Sequence, residues 1–227
     1  MNIIPNFIPA GRRNRPGAKL TGPKYITIHD TANPSKGADA LMHARYLKGD
    51  DAANRPASWH FTVDDQRVVQ HLPLDEVAWH AGDGSKGPGN TTSIAIEICE
   101  NADGDRAKAE ANAAELVAHL LKQFNLPIDA VVQHNRWSGK DCPRIIRRRS
   151  GGWDGFLAAV RARLEAKKPT ETAPAPGSAA PADEVSAWAR EARDWAVSRG
   201  ITDGTRPKDA VTREEVWTML YRMSFFV

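Results

Sequence analysis

A proline- and alanine-rich segment late in the chain limits most strongly what this protein can fold into. The run from Ala166 to Pro181 contains four prolines and no large apolar residue. Such a run cannot contribute to a hydrophobic core, and its composition is typical of a semi-extended linker. We therefore predict a first domain over residues 1–166, a linker over 167–183 and a small module over 184–227.

The composition is that of an ordinary globular protein. Of the 227 residues, 41% are hydrophobic and 26% are charged, and the formal net charge is +3. No stretch approaches the roughly 18 apolar residues that a membrane span needs, so we predict no membrane insertion. Residues 1–9 lack a basic start and contain two prolines, unlike a signal peptide. We therefore expect synthesis in the cytoplasm.

Apolar periodicity predicts alternating strands and helices in the first domain. Strands are predicted near residues 24–30, 58–64, 67–72, 93–99 and 130–134, and helices near 38–48, 109–124 and 152–166. The two strands over 58–72 are close enough in sequence to form a hairpin. The expected fold class is α/β, with a mixed central sheet flanked by helices and a small helical C-terminal module.

Two soft metal ligands lie in one turn-rich loop. His134 follows the β-branched run Val131-Val132, and Cys142 comes eight positions later, before a proline. Such a loop can present an imidazole and a thiolate to one zinc ion. The best third candidate is His29, near the end of a β-rich run over 24–31. Two histidines and one cysteine leave a fourth position open for water, which distinguishes a catalytic zinc from a structural one.

Cys142 has an alternative interpretation, because Cys99 is the second of the two cysteines and the pair could form a disulfide. A reducing cytoplasm disfavours that bond. A disulfide would also leave the nearby His134 unexplained. We therefore predict a metal ligand at Cys142 and a small buried strand residue at Cys99.

Six motifs occur in the order found in one enzyme family. They are Asn14-Arg15-Pro16-Gly17, the strand ending in His29, Ser58-Trp59-His60-Phe61, Val77-Ala78-Trp79-His80-Ala81-Gly82, Ser93-Ile94-Ala95-Ile96-Glu97-Ile98-Cys99, and the loop from His134 to Cys142. Each motif is weak alone, but six in this order are specific. The first domain thus resembles the zinc-dependent N-acetylmuramoyl-L-alanine amidases of amidase family 2, the catalytic domain of many bacteriophage endolysins. The resemblance implies a fold like that of peptidoglycan recognition proteins, and Zn²⁺ held by His29, His134 and Cys142.

Glu97 and Lys140 are the predicted catalytic residues. Strand alternation sends Glu97 to the face opposite three isoleucines, and its neighbours Ala95 and Cys99 favour a cleft over an exposed position. Glu97 also matches the family's catalytic glutamate, which implies a general base. Lys140 matches the family's catalytic lysine, whose ammonium would stabilise an oxyanion beside the metal. A solvated loop lysine is the alternative for Lys140.

Trp79 and His80 lie in a turn-rich segment, and we predict that they form the rim of a substrate groove. The remaining histidines have structural or solvated interpretations, and these are His43, His60, His71 and His119. The arginines between 144 and 149 are interpreted as a solvated face that could also steer the protein towards an anionic wall.

The C-terminal module over 184–227 has a helix–turn–helix pattern. Gly200 stops the first helix, and Thr212 with Glu215 forms a capping box for the second. The pattern resembles a single S-layer homology motif, a module that binds secondary cell-wall polysaccharides. Its candidate sugar-binding residues are three tryptophans that could equally be core residues, Trp188, Trp195 and Trp217.

The predicted function is hydrolysis of the amide bond between N-acetylmuramic acid and L-alanine in peptidoglycan, for phage-mediated lysis after release through a holin. Peptidoglycan is the expected partner, with secondary wall polysaccharide as a second, and no nucleic acid. A non-catalytic peptidoglycan-binding protein is the main alternative, but it would be expected to lose a ligand such as Cys142. A nuclease would prefer magnesium, which a thiolate does not suit. A structural zinc would need a fourth protein ligand.

Overall fold

The computed structural model describes residues 2–165, 185–186, 189–205, 209 and 213–223. The chain divides into two compact units, Met1–Lys167 and Lys168–Val227. The linker predicted over 167–183 lies outside the described residues. Each unit is therefore considered by itself.

The described part of the first unit contains one mixed sheet of six strands. The strands are β1 (Ile3–Pro5), β2 (Tyr25–Asp30), β3 (Phe61–Val63), β4 (Val68–Gln70), β5 (Ser93–Ile98) and β6 (Val131–Gln133). Their order across the sheet is β1-β4-β3-β5-β2-β6. β3 and β4 form the predicted antiparallel hairpin, and the other neighbouring pairs are parallel.

Seven helices accompany these strands within the described residues of the first unit. They are α1 (Ala40–Lys48), α2 (Asp50–Ala53), α3 (Pro88–Thr92), α4 (Arg106–Gln123), α5 (Asn135–Ser138), α6 (Arg144–Arg148) and α7 (Gly152–Glu165). The start of α1 is fixed by Asp39, whose side chain accepts the Met42 N–H, and Asp105 caps α4 in the same way on the Lys108 N–H. An aspartate at this position satisfies an N–H that has no partner within the helix.

Helices cover both faces of the sheet. Val68 packs in the large core cluster with α4, whereas its neighbour Val69 packs in a cluster with Ala40 and Ala44 of α1. Because successive strand residues point to opposite faces, α1 and α4 lie on opposite sides. The central strands β2 and β5 are almost wholly buried, as expected for parallel strands covered on both faces.

Strand register determines where the polar residues meet. β5, β2 and β6 are parallel neighbours, so their carboxyl ends lie at the same edge of the sheet. His29 of β2 pairs directly with Glu97 of β5, which places both side chains on one face. His134 follows β6 at the same edge. The fold thus brings residues that are far apart in sequence to one point.

The predicted fold class is confirmed, but several details differ, among them the short helices α2, α3, α5 and α6, which were not predicted. The strand β1 was not predicted, because three residues bounded by a proline give too short a pattern. The closing helix was expected to cover the sheet, but α7 packs mainly against α4. The reason is that α4 already covers that face of the sheet. The helix α7 therefore packs on the outer side of α4, and its Phe156 and Val160 belong to the same core cluster.

The second unit contains two helices in its described residues, α8 (Arg190–Ser198) and α9 (Arg213–Met223). Gly200 has a left-handed backbone, with φ of 66°, as expected for a glycine that ends a helix. Two of the three candidate sugar-binding tryptophans are accessible, since Trp195 is 47% and Trp217 is 62% exposed. Trp188 and the proposed cap Thr212 lie outside the described residues.

No helix in the described parts of the chain combines the length and apolar character needed to cross a membrane.

Candidate active site

Three predicted metal ligands converge at the carboxyl edge of the sheet. One ligand atom from each of His29, His134 and Cys142 lies within 4.8 Å of the others, and all three residues are buried. The Cys142 Sγ is 3.9 Å from His29 Nδ1. Both cysteines are free thiols, so the alternative disulfide with Cys99 is excluded. Cys99 is buried, as predicted.

The hydrogen bond of His134 determines which of its nitrogens faces the cluster. Its Nε2 is 3.0 Å from the Ala81 carbonyl oxygen. A carbonyl can only accept, so Nε2 carries the proton. The Nδ1 of His134 is buried and has no hydrogen-bond partner. A buried imidazole nitrogen without a partner is costly unless it binds something, and a metal ion fits this position.

Charge in the cluster also fits a cation. Burial raises the pKa of the Cys142 thiol to about 12, so the protein's own groups do not stabilise a thiolate there. Burial likewise lowers the pKa of His29 well below its usual value. Both groups are therefore neutral near pH 7, and a divalent cation would supply the charge that favours a thiolate. Two neutral imidazoles and one cysteine form a donor set that suits zinc.

Glu97 lies beside this cluster, as predicted. Its Oε1 is 3.8 Å from His29 Nδ1, and its Oε2 is buried without a hydrogen-bond partner. Burial raises the pKa of Glu97 well above its usual value, while the nearby charge of Lys140 acts in the opposite direction. A carboxyl group whose pKa is raised in this way can hold a proton at neutral pH and give it up again.

An open groove of about 1280 Å³ reaches the cluster at His134. Its lining includes Trp79, His80, His134 and Lys140, so the structure places both predicted rim residues and the predicted catalytic lysine at the same surface. Residues of the segment 11–18 also line it. The roles of Trp79 and His80 in substrate binding, and of Lys140 in catalysis, stay predictions.

The groove is positively charged. Its charged lining residues are Arg12, Arg13, Arg15 and Lys140, and no Asp or Glu is present among the described residues that line it. Arg15 is neutralised by Glu76, which accepts bonds of 2.8 and 2.6 Å from it. Arg12 donates to the carbonyls of Lys48 and Gly49. A ligand carrying carboxylates would complement such a surface.

The sequence did not indicate the residues that support the site. The Asn90 Oδ1 accepts the backbone N–H groups of both His80 and Ala81, each at 2.8 Å. Ser93 lies 3.3 Å from His80 Nε2. The glycine-rich stretch before Asn90 marks a tight loop, but nothing in its pattern specifies these contacts.

Asp30 connects the ligand-bearing elements. Its backbone N–H donates to Cys142 Sγ at 3.5 Å, and its side chain accepts from the Ile145 N–H at 2.8 Å. The same carboxylate forms an ion pair with Arg106 of α4. This residue therefore links β2 to the segment that carries Cys142.

Fold and site together define a class of protein. A mixed α/β sheet carries two histidines and a cysteine beside a partly buried carboxyl group, and one of the histidines, His134, lines an open groove. This arrangement suits a metal-dependent hydrolase, because the three donors leave a position for water and the carboxyl group is close enough to exchange its proton.

The chain belongs to the N-acetylmuramoyl-L-alanine amidase family, whose model matches residues 19–145, more than half of the chain. It is 50% identical over 174 residues to the N-acetylmuramoyl-L-alanine amidase CwlH of Bacillus subtilis, covering 77% of this chain and 66% of CwlH. It is 56% identical over 160 residues to XlyA of the same organism, covering 70% of this chain and 51% of XlyA. The chain thus spans less than two thirds of the length of these curated relatives.

Solved structures agree with this assignment. The catalytic domain of XlyA has a TM-score of 0.66 and 55% identity, covering 70% of this chain and 99% of that domain. PlyL has a TM-score of 0.62 and 34% identity, covering 70% of this chain and 97% of PlyL. Both comparisons support the mixed α/β fold of the first unit.

Proposed function

We propose that this protein is an N-acetylmuramoyl-L-alanine amidase that hydrolyses the bond between the lactyl group of N-acetylmuramic acid and L-alanine in peptidoglycan. The observation that carries the proposal is the convergence of His29, His134 and Cys142 beside Glu97, with His134 also lining the groove. The names of the relatives support the same activity.

We propose Zn²⁺ as the cofactor, held by His29, His134 and Cys142. When bound there, zinc would polarise the scissile carbonyl and make water a better nucleophile at neutral pH. The free Nδ1 of His134 and the buried thiol of Cys142 support this ligand set.

Glu97 and Lys140 have separate proposed roles. Glu97 accepts the proton of the attacking water at its partnerless Oε2 and returns it to the departing L-alanine nitrogen, so that the amine leaves in neutral form. Lys140, whose charge acts on both Glu97 and His29, stabilises negative charge that develops on the carbonyl oxygen. The positive lining of the groove holds the carboxylates of the stem peptide, with Trp79 and His80 at its edge.

The experiment is digestion of purified peptidoglycan, with mass spectrometry for free lactyl groups and assay of new L-alanine amino termini. Glu97→Gln keeps the side-chain size but cannot take up the proton, so turnover should fall by roughly 10²–10⁴-fold while wall binding persists. The matched control is Glu115→Gln, the same change at an exposed position on α4 outside the groove lining, which should keep normal turnover. Wall binding without new amino termini in the wild type would favour the non-catalytic alternative.

We also propose that the chain has the modular division predicted above, with residues 184–227 as a module similar to an S-layer homology motif. Its partner would be a secondary cell-wall polysaccharide. The exposure of Trp217, and of the part of Trp195 that Arg199 does not cover, supports this proposal, since a flat apolar surface can pack against sugar rings.

The biological role we propose is lysis of a bacterial host, after release of the enzyme to the wall through a holin. Similarity to a structure named as an endolysin from Bacillus subtilis supports this role, at 55% identity over 70% of the chain.

A further inference from the structure

The half-buried side chain of His80 contacts a predicted metal ligand directly. Its Nδ1 is 3.0 Å from the Nε2 of His29, and the two rings meet edge to face. In this bond one imidazole donates and the other accepts. The direction matters because it determines which nitrogen of His29 retains a lone pair for a metal.

A chain of hydroxyl groups determines that direction. The Trp137 Nε1–H can only donate, and it donates to Thr27 Oγ1 at 2.9 Å. The Ser93 hydroxyl donates its single proton to the Gly89 carbonyl at 2.6 Å, because a carbonyl can only accept. Ser93 Oγ therefore acts only as an acceptor towards Thr27 at 2.8 Å and towards His80 Nε2 at 3.3 Å.

It follows that His80 carries its proton on Nε2. A neutral imidazole has one N–H, so the Nδ1 of His80 is an acceptor and the Nε2 of His29 donates to it. The remaining nitrogen of His29 is Nδ1, whose lone pair lies 3.9 Å from Cys142 Sγ and 3.8 Å from Glu97 Oε1. The hydrogen bonds thus leave Nδ1 of His29 available to a metal ion.

The residue after His80 has the same effect on the second histidine. The Ala81 carbonyl accepts from His134 Nε2 at 3.0 Å, which leaves the Nδ1 of His134 as its lone-pair nitrogen. Asn90 holds both consecutive residues in place through their N–H groups, and its own Nδ2 donates to the Gly84 carbonyl at 3.0 Å. One short segment therefore orients both imidazole ligands.

We propose that the His80-Ala81 segment, held by Asn90, is the orienting element of the metal site, fixing His29 and His134 in the tautomer whose Nδ1 faces the metal. His80 is then a positioning residue, not only part of the substrate rim. The proposal rests on the zinc site of the proposed function, but not on the reaction that the site performs.

The test combines zinc affinity with a direct measurement of tautomers. His80→Leu removes the acceptor for His29 and should weaken zinc binding by roughly 10–100-fold, measured by competition with a chromophoric chelator. His80→Asn places an oxygen near the position of Nδ1, so it should restore most of the affinity. Asn90→Ala should also weaken binding. The matched control is His119→Leu, at an exposed position of α4, which should bind zinc like the wild type.

Long-range ¹H–¹⁵N NMR spectra of the chelator-treated full chain report the tautomers. In the wild type both His29 and His134 should be protonated at Nε2. In His80→Leu, the Nδ1–H form should appear at His29 but not at His134, because the acceptor of His134 is a backbone carbonyl.

Two results would overturn the proposal. One is a wild-type His29 protonated at Nδ1, and the other is equal loss of affinity in His80→Asn and His80→Leu, which would indicate packing. Wild-type protein that binds zinc with these tautomers but releases no L-alanine amino termini would contradict the proposed amidase activity and support the orienting role.

Discussion

The ion pair between Asp30 and Arg106 offers a quantitative test of how the site is held together. The Asp30 side chain is buried, with 1% of its surface exposed, and Arg106 is 19% exposed. Replacing Asp30 by asparagine removes the negative charge but keeps the shape and an oxygen that accepts from the Ile145 N–H. The change therefore removes the ion pair with Arg106, including its hydrogen bond, and keeps the bond from Ile145.

The expected cost follows from the contacts that remain. Breaking a buried ion pair costs about 3–5 kcal/mol when the surviving charge has no partner. Arg106 keeps a second carboxylate, since its Nε donates to Glu110 at 2.9 Å, and it also donates to the carbonyls of Ile98 and Cys99. We therefore expect a loss of roughly 2–3 kcal/mol in the free energy of unfolding. For a unit of this size, that corresponds to a fall in Tm of about 5–10 °C.

The assay is urea and thermal unfolding of the full chain, followed by far-UV circular dichroism at constant zinc concentration. The matched control is Asp141→Asn, which removes a carboxylate that also pairs with arginines, Arg147 and Arg148, but is 45% exposed. Its unfolding midpoint should stay at the wild-type value, because exposed pairs contribute little. An Asp30→Asn variant as stable as the wild type, or a control that loses as much, would refute this account of the site.

Three further predictions follow from the structure. Cys142→Ser should lose most of the bound zinc, measured by elemental analysis, and full occupancy would exclude Cys142 as a ligand. Burial lowers the pKa of His60 to about 4 and of His71 to about 3, so the unfolded chain takes up protons first as the pH falls below about 6.5. Stability should then fall between about pH 6.5 and 4, by up to roughly 1.4 kcal/mol per pH unit for each histidine, and His71→Gln should flatten this slope in urea titrations. Truncation after Lys168 should preserve hydrolysis of soluble muropeptides but reduce binding to intact walls; unchanged co-sedimentation would refute wall binding by the second unit.

The candidate site was predictable in part because several of its residues stand out in recognisable sequence patterns. His29 and His134 end β-rich runs, and Glu97 is the carboxylate of an otherwise apolar strand. Parallel strands bring such ends to one edge of a sheet, so alternation and residue type were sufficient to propose these residues. The resemblance to the amidase family added the roles of Glu97 and Lys140.

Other features depend on contacts that local patterns do not encode. The strand β1 is three residues long and joins the sheet by pairing with β4, more than sixty residues later. The ion pair of Asp30 joins residues 76 positions apart. Periodicity reports which face of an element is apolar, but it does not report which distant element will cover that face.

By itself, the sequence determined the alternating α/β pattern, the candidate ligands His29, His134 and Cys142, and the carboxylate and lysine beside them. Only the tertiary structure decided the strand order, the position of the groove and the direction of each hydrogen bond around the histidines. The physical reason is that a residue's type fixes which bonds it can form, whereas the partner at hydrogen-bond distance fixes which bond it does form. His80 and Ala81 therefore determine which nitrogen of His29 and of His134 keeps its lone pair. Only folding brings His80 and Ala81 next to these two histidines.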